Sequence, residues 1–320
     1  MRLEKSFLEK YRPKKEEDVV GNKIIKERIF GQLKSGRLNN MILYGGSGLG
    51  KTTIAEIVAR ELLKDNYTTD CINFNCSDKT GVDNIRVNII ETEKLKPIGD
   101  LRIFIMEESE LLSKAAQNSL KKAMETPYDK SNRFIFLTNN ITKFITAIKD
   151  RCRIYTFMPI QPEEMLPRLK YIAKEEEIEI SEELLLKLAD MSNGSMRYPV
   201  IQLEEFKALN RKITDNDLRL EKNLESIKVI FSLLKDKKVP YAKSKVLELY
   251  QDGSNFNDII RYLHDFTMMS LGNDLNFNVK ARTVISIAEA ERNVNEGCNE
   301  FIQISFLLSK IALLLQKIEK

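Results

Sequence analysis

Residues 41–53 read Met-Ile-Leu-Tyr-Gly-Gly-Ser-Gly-Leu-Gly-Lys-Thr-Thr. A short apolar run, Met41 to Tyr44, enters a glycine-rich loop that closes on Lys51 and Thr52. Ile54-Ala55-Glu56-Ile57-Val58-Ala59 follows as a good helix former. The pattern is strand, loop, helix. The spacing Gly45 to Gly50, Lys51 and Thr52 fits G-x-x-x-x-G-K-[ST], the phosphate-binding loop. Glycines at Gly45, Gly46, Gly48 and Gly50, with Ser47 and Leu49 between them, let main-chain N–H groups converge on phosphate oxygens. The start of the helix, with Thr52 and Thr53, adds partial positive charge there. In such a loop Lys51 neutralises β- and γ-phosphate charge, and the Thr52 hydroxyl is placed to ligate Mg²⁺.

Working outward, Cys71–Cys76 reads as a second strand, and a helix is expected from Val82 to Ile90. Leu101–Met106 is a third strand that runs into Glu107-Glu108. An apolar strand ending in carboxylates matches the Walker B arrangement, in which the first acid holds Mg²⁺ and the second orients the attacking water. Paired acids also occur on ordinary surfaces, and it is the P-loop that gives these two a role. A helix over Lys114–Thr126 follows, then a strand at Phe134–Thr138 that ends in Asn139-Asn140, and a fifth strand at Arg153–Phe157. Asn139 suits contact with a γ-phosphate or a lytic water, with a simple turn as the plain alternative. Apolar strands alternating with helices imply a parallel sheet covered on both faces, with its binding site at the carboxyl ends of the strands.

Before the P-loop, Pro13 forbids helix continuation and favours an extended segment ahead of it. That segment suits either a wall around a base or an ordinary N-terminal arm. After Gln161-Pro162 helical periodicity takes over. In Asn193-Gly194-Ser195-Met196-Arg197, Gly194 is expected to end one helix and Ser195 to cap the next, leaving Arg197 near a helix start. From about residue 225 the chain is again helical. The apolar stretch Phe301–Leu315, interrupted by Gln303 and Lys310, reads as a buried helix, too short for the roughly 20 residues that span a bilayer.

Composition narrows the function classes. The 320 residues carry 51 Lys+Arg against 47 Asp+Glu, a formal net charge of +4, too small to argue nucleic-acid binding by itself. Four scattered cysteines without a C-x-x-C pair suggest neither a disulfide framework nor a zinc site. The charged N-terminus lacks a signal-peptide core. The expectation is a soluble intracellular protein, cytoplasmic or nuclear, with no membrane partner.

The motifs taken together resemble the small subunits of replication factor C, the sliding-clamp loader, within the AAA+ ATPases, almost end to end. Glu9-Lys10-Tyr11-Arg12-Pro13 and Asp18-Val19-Val20-Gly21 resemble the family's E-K-Y-R-P and D-x-V-G segments. Asn75-Cys76-Ser77-Asp78 with Gly81 and Arg86 resembles N-A-S-D-x-x-G-x-x-x-I-R. Ala116-Gln117, Leu120-Lys121-Lys122 and Met124-Glu125 match the helix after Walker B. Asn139 matches sensor 1, Asp150-Arg151-Cys152 the S-R-C signature, and Gly194-Ser195-Met196-Arg197 sensor 2. Gly297-Cys298-Asn299-Glu300 with Ile302-Gln303 resembles G-A-N-E-x-I-Q of the last collar helix.

The resemblance implies an α/β AAA+ P-loop domain with a five-stranded parallel sheet at residues 1–160, a helical lid at 161–222 and a C-terminal helical-bundle collar for oligomerisation at 223–320. It implies ATP and Mg²⁺, with Tyr11, Arg12, Pro13, Val19 and Val20 at the adenine. Glu108, Lys51, Asn139 and Arg197 would serve catalysis, and Thr52 and Glu107 would hold the metal. Arg151 would act in trans on the neighbouring subunit's ATP. Arg86, Lys79 and Lys122 would meet DNA phosphates. The implied partners are the other subunits of a hetero-pentamer, including a large subunit, a ring-shaped sliding clamp of the proliferating cell nuclear antigen type, and primer–template DNA. The implied activity is ATP-driven clamp loading.

Three residues depart from the pattern. Glu107 stands where the family has Asp, Asp150 replaces the Ser beside Arg151 and is expected to restrain it, and Ser195 replaces an acid. An alternative reading is therefore a nucleotide-binding structural subunit that lends Arg151 to a neighbour with little turnover of its own.

Overall fold

A computed structural model describes residues 5–36, 38–77, 96–125, 131–218, 220–251, 254–268 and 277–316. The chain divides into two compact units, Met1–Ile213 and Thr214–Lys320.

In the first unit five strands form one parallel sheet in the order β2-β3-β4-β1-β5: β1 Met41–Tyr44, β2 Cys71–Asn75, β3 Arg102–Glu107, β4 Asn132–Thr138 and β5 Arg153–Thr156. The expected strands are all present, with ends moved by one or two residues. Side chains alternate across the sheet. On one face Met41, Leu43, Ile103, Ile105, Ile135 and Leu137 pack under α2 (Lys23–Lys34) and α3 (Lys51–Leu63). On the other Ile42, Phe104, Met106, Phe134 and Phe136 pack with Ala116, Leu120 and Ala123. That face carries an aromatic ladder. Phe104, paired in register with Phe134, stacks on it at 4.9 Å and on Phe74 at 6.3 Å.

The register sets the site. Tyr44 is paired with Thr138, and Asn75 with Glu107. The P-loop, Asn139 and Glu107-Glu108 therefore leave the sheet along one edge, at its carboxyl ends.

Several expectations are corrected. The segment before Pro13 is not wholly extended, because Phe7–Lys10 makes one turn of helix, α1, with Phe7 buried. The chain is then free of helix from Tyr11 to Lys15, as Pro13 requires. The helix after Walker B ends at Ala123 rather than Thr126. The expected helix Val82–Ile90 lies outside the described residues. The remaining helices of this unit are α4 Tyr67–Asp70, α5 Lys114–Ala123, α6 Thr146–Lys149, α7 Pro162–Glu175, α8 Glu182–Met191 and α9 Arg197–Leu209.

The second unit is a bundle of α10 Leu220–Lys235, α11 Val239–Gln251, α12 Phe256–Met268, α13 Phe277–Asn295 and α14 Glu300–Gln316 around one apolar core. Helix α14 is only half buried. Ile304, Leu307, Leu308, Ile311 and Leu315 face the core, whereas Ile302 is 66% exposed, Phe306 48% and Leu313 62%. Exposed residues four and seven apart share a helix face, so α14 carries a second apolar stripe that its own unit does not cover. Among the described residues no helix is long and apolar enough to cross a membrane.

Phe104 is fully buried between two rings, so Phe104→Ala is expected to lower the stability of the first unit by about 3–5 kcal/mol. Urea unfolding followed by circular dichroism measures it, and a loss near zero would mean that the ladder does not carry the core.

Candidate nucleotide-binding site

A cavity of about 350 Å³ opens at the carboxyl edge of the sheet. Its floor is the P-loop. Gly48 has φ +74°, and a Cβ there would lie 1.9 Å from Ser195 Oγ; at Gly45 one would lie 2.6 Å from the Phe157 carbonyl oxygen. Only glycine fits at these two points, and the loop is left as bare main chain. Such a cradle fits phosphate oxygens.

Lys51 begins α3 and reaches back over the loop. Its Nζ donates to the carbonyls of Gly45 at 2.8 Å and Gly46 at 2.6 Å, and to Asn139 Oδ1 at 2.9 Å. Burial pushes the Lys51 ammonium down to about 8; Glu110 opposes the shift and Arg197 adds to it. Lys51 and Asn139 are thus brought together as the sequence implied. The three carbonyl-type acceptors around Nζ are partners that a phosphate oxygen can replace with a full opposite charge. Thr52 and Thr53 line the same cavity.

Glu107 closes β3 and is partly buried. Burial raises its carboxyl above the usual range, the Glu56 carboxylate raises it further, and Arg12 acts against both. Glu108, exposed, adopts φ +50° and ψ +41°, a left-handed conformation that costs a non-glycine residue about 1 kcal/mol or more. The turn is held from below by buried Ser109, whose hydroxyl donates to the Met106 carbonyl. Glu110 accepts the Asn139 N–H at 3.3 Å, a contact that only the acid run after β3 hinted at.

The cavity's other wall is helical. Arg197 starts α9 and donates from Nη1 to Ser47 Oγ at 3.2 Å, while the Met196 N–H donates to the Gly48 carbonyl at 3.1 Å. Ser195 Oγ accepts the Arg197 N–H at 3.3 Å, so it serves the helix start although the residue next to the helix is Met196. Tyr11, Arg12, Pro13, Val19 and Val20 all line the cavity with Arg168 and Ile172. Arg12 forms an ion pair with Glu56 of α3 at 2.6 Å, and Tyr11 donates its hydroxyl to Glu176 at 2.5 Å. Sequence reading missed Glu56, Arg168 and Glu176. They lie 44 to 165 positions from their partners, beyond the reach of any local pattern.

Four predicted residues are placed elsewhere or not at all. Arg151 does not line the cavity. Its Nη2 bonds Glu125 Oε1 at 2.6 Å and its Nη1 the Ala147 carbonyl at 2.9 Å, so its restraint comes from Glu125 and not, as expected, from Asp150. Lys122 is exposed on the last turn of α5. Lys79 and Arg86 lie outside the described residues.

Among the described residues no group of three or more His, Cys, Asp or Glu side chains is placed to hold a metal ion by itself. A hard divalent ion at Thr52 and Glu107 would complete its shell with phosphate oxygens and water, as Mg²⁺ does at nucleotide sites.

Comparison with known proteins agrees with this geometry. The family model of ATPases associated with various cellular activities (AAA) matches residues 41–160, and that of the replication factor C C-terminal domain matches residues 224–310. Replication factor C small subunit 1 of Pyrobaculum islandicum is 31% identical over 320 residues, covering 98% of this chain and 95% of that protein. The chain belongs to the replication factor C small subunit family. The replication factor C small subunits of Thermofilum pendens, 29% identical over 99% of both chains, and of Methanothermobacter thermautotrophicus, 28% identical over 95% of this chain and 96% of the other, extend the same likeness. Among solved structures the Thermotoga maritima RuvB Holliday junction branch migration motor superposes with a TM-score of 0.56 at 18% identity, covering 75% of this chain and 86% of that one. That likeness is one of fold. The replication factor C assignment makes this a AAA ATPase family member with a nucleotide-binding core and a C-terminal helical domain.

Lys51 gives a titration with a definite sign. Below pH 8 the amine is charged in both folded and unfolded chains. Between about 8 and its ordinary 10.5 the folded chain holds fewer protons, so its stability contribution rises with pH. Phosphates favour the ammonium, so nucleotide binding is expected to take up about half a proton near pH 8 and almost none at pH 6.5. Calorimetry in buffers of different ionisation enthalpy measures the uptake, and Lys51→Met is expected to abolish it.

Proposed function

We propose that this replication factor C small subunit binds ATP with Mg²⁺ and hydrolyses it within a hetero-pentameric clamp loader. That loader opens a ring-shaped sliding clamp and closes it around primer–template DNA. The observation that carries the reading is the convergence of Lys51, Thr52, Glu107, Glu108, Asn139 and Arg197 on one cavity, in a chain whose relatives are named replication factor C small subunits.

Each residue has a part. The P-loop amides and Lys51 hold the phosphates, with Thr52 and Glu107 toward the metal. Thr52 and Glu107 would hold Mg²⁺, which would supply positive charge beside the phosphates. The Glu108 carboxylate orients water and takes its proton. Asn139 holds Lys51 in line and offers its amide to the γ-phosphate side. Arg197 extends from the helical wall over the P-loop and lends positive charge. Tyr11, Arg12, Pro13, Val19 and Val20 form the base wall. Arg151, outside the cavity, acts on ATP in a neighbouring subunit. The second unit forms the collar, and the uncovered stripe Ile302, Phe306 and Leu313 on α14 suits contact with neighbouring subunits, the large subunit among them. DNA meets Arg86, Lys79 and Lys122 through phosphate contacts, which carry no sequence information. We also divide the whole chain by role, with residues 1–160 as the AAA+ core, 161–222 as the lid, and 223–320 as the collar.

A second reading has one observation behind it. Glu107 stands where the family has Asp, and its carboxyl is pushed up by burial and by Glu56, which weakens a metal ligand. A structural subunit that binds nucleotide, turns over little and lends Arg151 would follow.

Glu108→Gln made only in this chain separates the two. Removing a positioned base costs about 10²- to 10⁴-fold, so hydrolysis by the assembled complex, with clamp and primer–template DNA present, is expected to fall by this subunit's share. An unchanged rate favours the structural subunit.

A further inference from the structure

Glu176 follows the last turn of α7 and is buried, 7% exposed. A carboxylate is poorly placed at a helix C-terminus, where the helix dipole already presents negative charge. Burial adds to the cost, because a charge taken out of water must be paired. Its partners come from two other segments. From the N-terminal arm, Lys10 Nζ donates to Oε1 at 2.6 Å and the Tyr11 hydroxyl donates to the same oxygen at 2.5 Å. From the end of α9, Lys207 Nζ lies 4.0 Å from Oε2 and donates to the Glu176 main-chain carbonyl. The Tyr11 carbonyl in turn accepts Arg168 Nη2 of α7 at 2.8 Å. Tyr11 and Arg168 line the nucleotide cavity; Glu176 does not.

We infer that Glu176 is a positioning residue for the base-binding end of the cavity, acting through Tyr11 from outside it. This rests on the nucleotide-binding reading given above. The Tyr11 ring is fixed along its length, edge-on to Phe7 at 5.6 Å and to Tyr171 at 6.2 Å, with its hydroxyl on Glu176. Without the carboxylate the ring keeps those neighbours but loses the bond that sets its angle. Burial, and then the bond to Glu176, pushes the Tyr11 phenol up to about 12, so it remains a donor at working pH. Burial alone would raise the Glu176 carboxyl, but the bonds from Lys10 and Tyr11 outweigh it and hold the carboxyl below its usual range. Charge and donor therefore stay matched. The next residue, Arg12, is tied to Glu56 on the P-loop helix. Two successive arm residues thus join the helical wall to α3, and the base lies against the joint.

The test uses the full chain with Glu176→Gln, which keeps the side-chain shape, and Tyr11→Phe, which keeps the ring. Binding of ATP and of inorganic tripolyphosphate is measured by displacement of a ribose-labelled fluorescent ATP, with thermal unfolding as a check on folding. Tyr11→Phe removes the hydrogen bond and Glu176→Gln removes the charge that strengthens it, a loss of about tenfold, so each variant is expected to bind ATP about tenfold more weakly. Tripolyphosphate affinity stays at the wild-type value, and the double variant is no worse than either single one. Equal weakening toward both ligands would mean a general loosening of the wall and would overturn the assignment. So would unchanged ATP affinity in Glu176→Gln, or additive effects in the double variant. A wild-type chain that binds tripolyphosphate but shows no preference for ATP over it overturns the positioning role while leaving the P-loop reading intact. A wild-type chain that binds neither overturns both.

Discussion

A lysine ammonium held among main-chain carbonyls is the constraint on which the site depends. Lys51 is drawn from water to Gly45 O, Gly46 O and Asn139 Oδ1, and dipoles alone compensate a buried charge poorly. An anion in the glycine cradle replaces those dipoles with a full opposite charge. Much else serves to put that amine there. The parallel register brings Asn139 beside the loop, the missing side chain at Gly48 lets residues 195–197 close over it, and helix α3 starts on Lys51 itself.

The same edge of the sheet must place two carboxylates where phosphates will lie, and it does so under strain. Glu107 keeps the last strand position and is pushed toward its neutral form by burial and by Glu56. Glu108 escapes burial through a left-handed turn that a buried serine braces. The two adjacent acids are thereby set in different environments, one half-buried and one in water.

How far the site was legible follows from the range of each interaction. The P-loop, the acids after β3 and Asn139 were readable because each is a strand end followed by a loop, a pattern contained within a dozen residues. The pairing of Arg12 with Glu56, Tyr11 with Glu176 and Arg151 with Glu125 was not. A charge has no sequence period, and with 51 basic and 47 acidic residues almost any pairing was open. Asp150, adjacent in sequence to Arg151, was the natural guess. The structure instead gives the guanidinium to Glu125, just beyond the end of α5. Helix α14 shows the complementary failure. Its largely apolar composition signalled burial, but a helix with apolar residues on more than one face can bury one within its unit and leave another uncovered.

The charges around the cavity bear on the proposed need for a neighbouring subunit. Arg12, Lys51, Arg168 and Arg197 line it, and so do Asp18, Glu107, Glu108 and Glu110. Arg12 is engaged by Glu56, which lies outside the lining, and Arg168 by the Tyr11 carbonyl and Asp18. Among the described lining residues, Lys51 and Arg197 are left to face phosphates, opposite three glutamates. A triphosphate entering such a site brings more negative charge than these two cations offset, and the transition state spreads further charge over the γ-phosphoryl oxygens. Positive charge must come from elsewhere. Glu107 would be a repulsive neighbour to the phosphates unless it held a divalent ion, which would supply part of that charge. The remainder, in the proposed assembly, is an arginine from the next subunit. Arg151 suits that part in its turn, because its pairing with Glu125 and the Ala147 carbonyl holds the guanidinium outside its own cavity. In the proposed assembly, electrostatics would thus tie turnover to the meeting of two subunits.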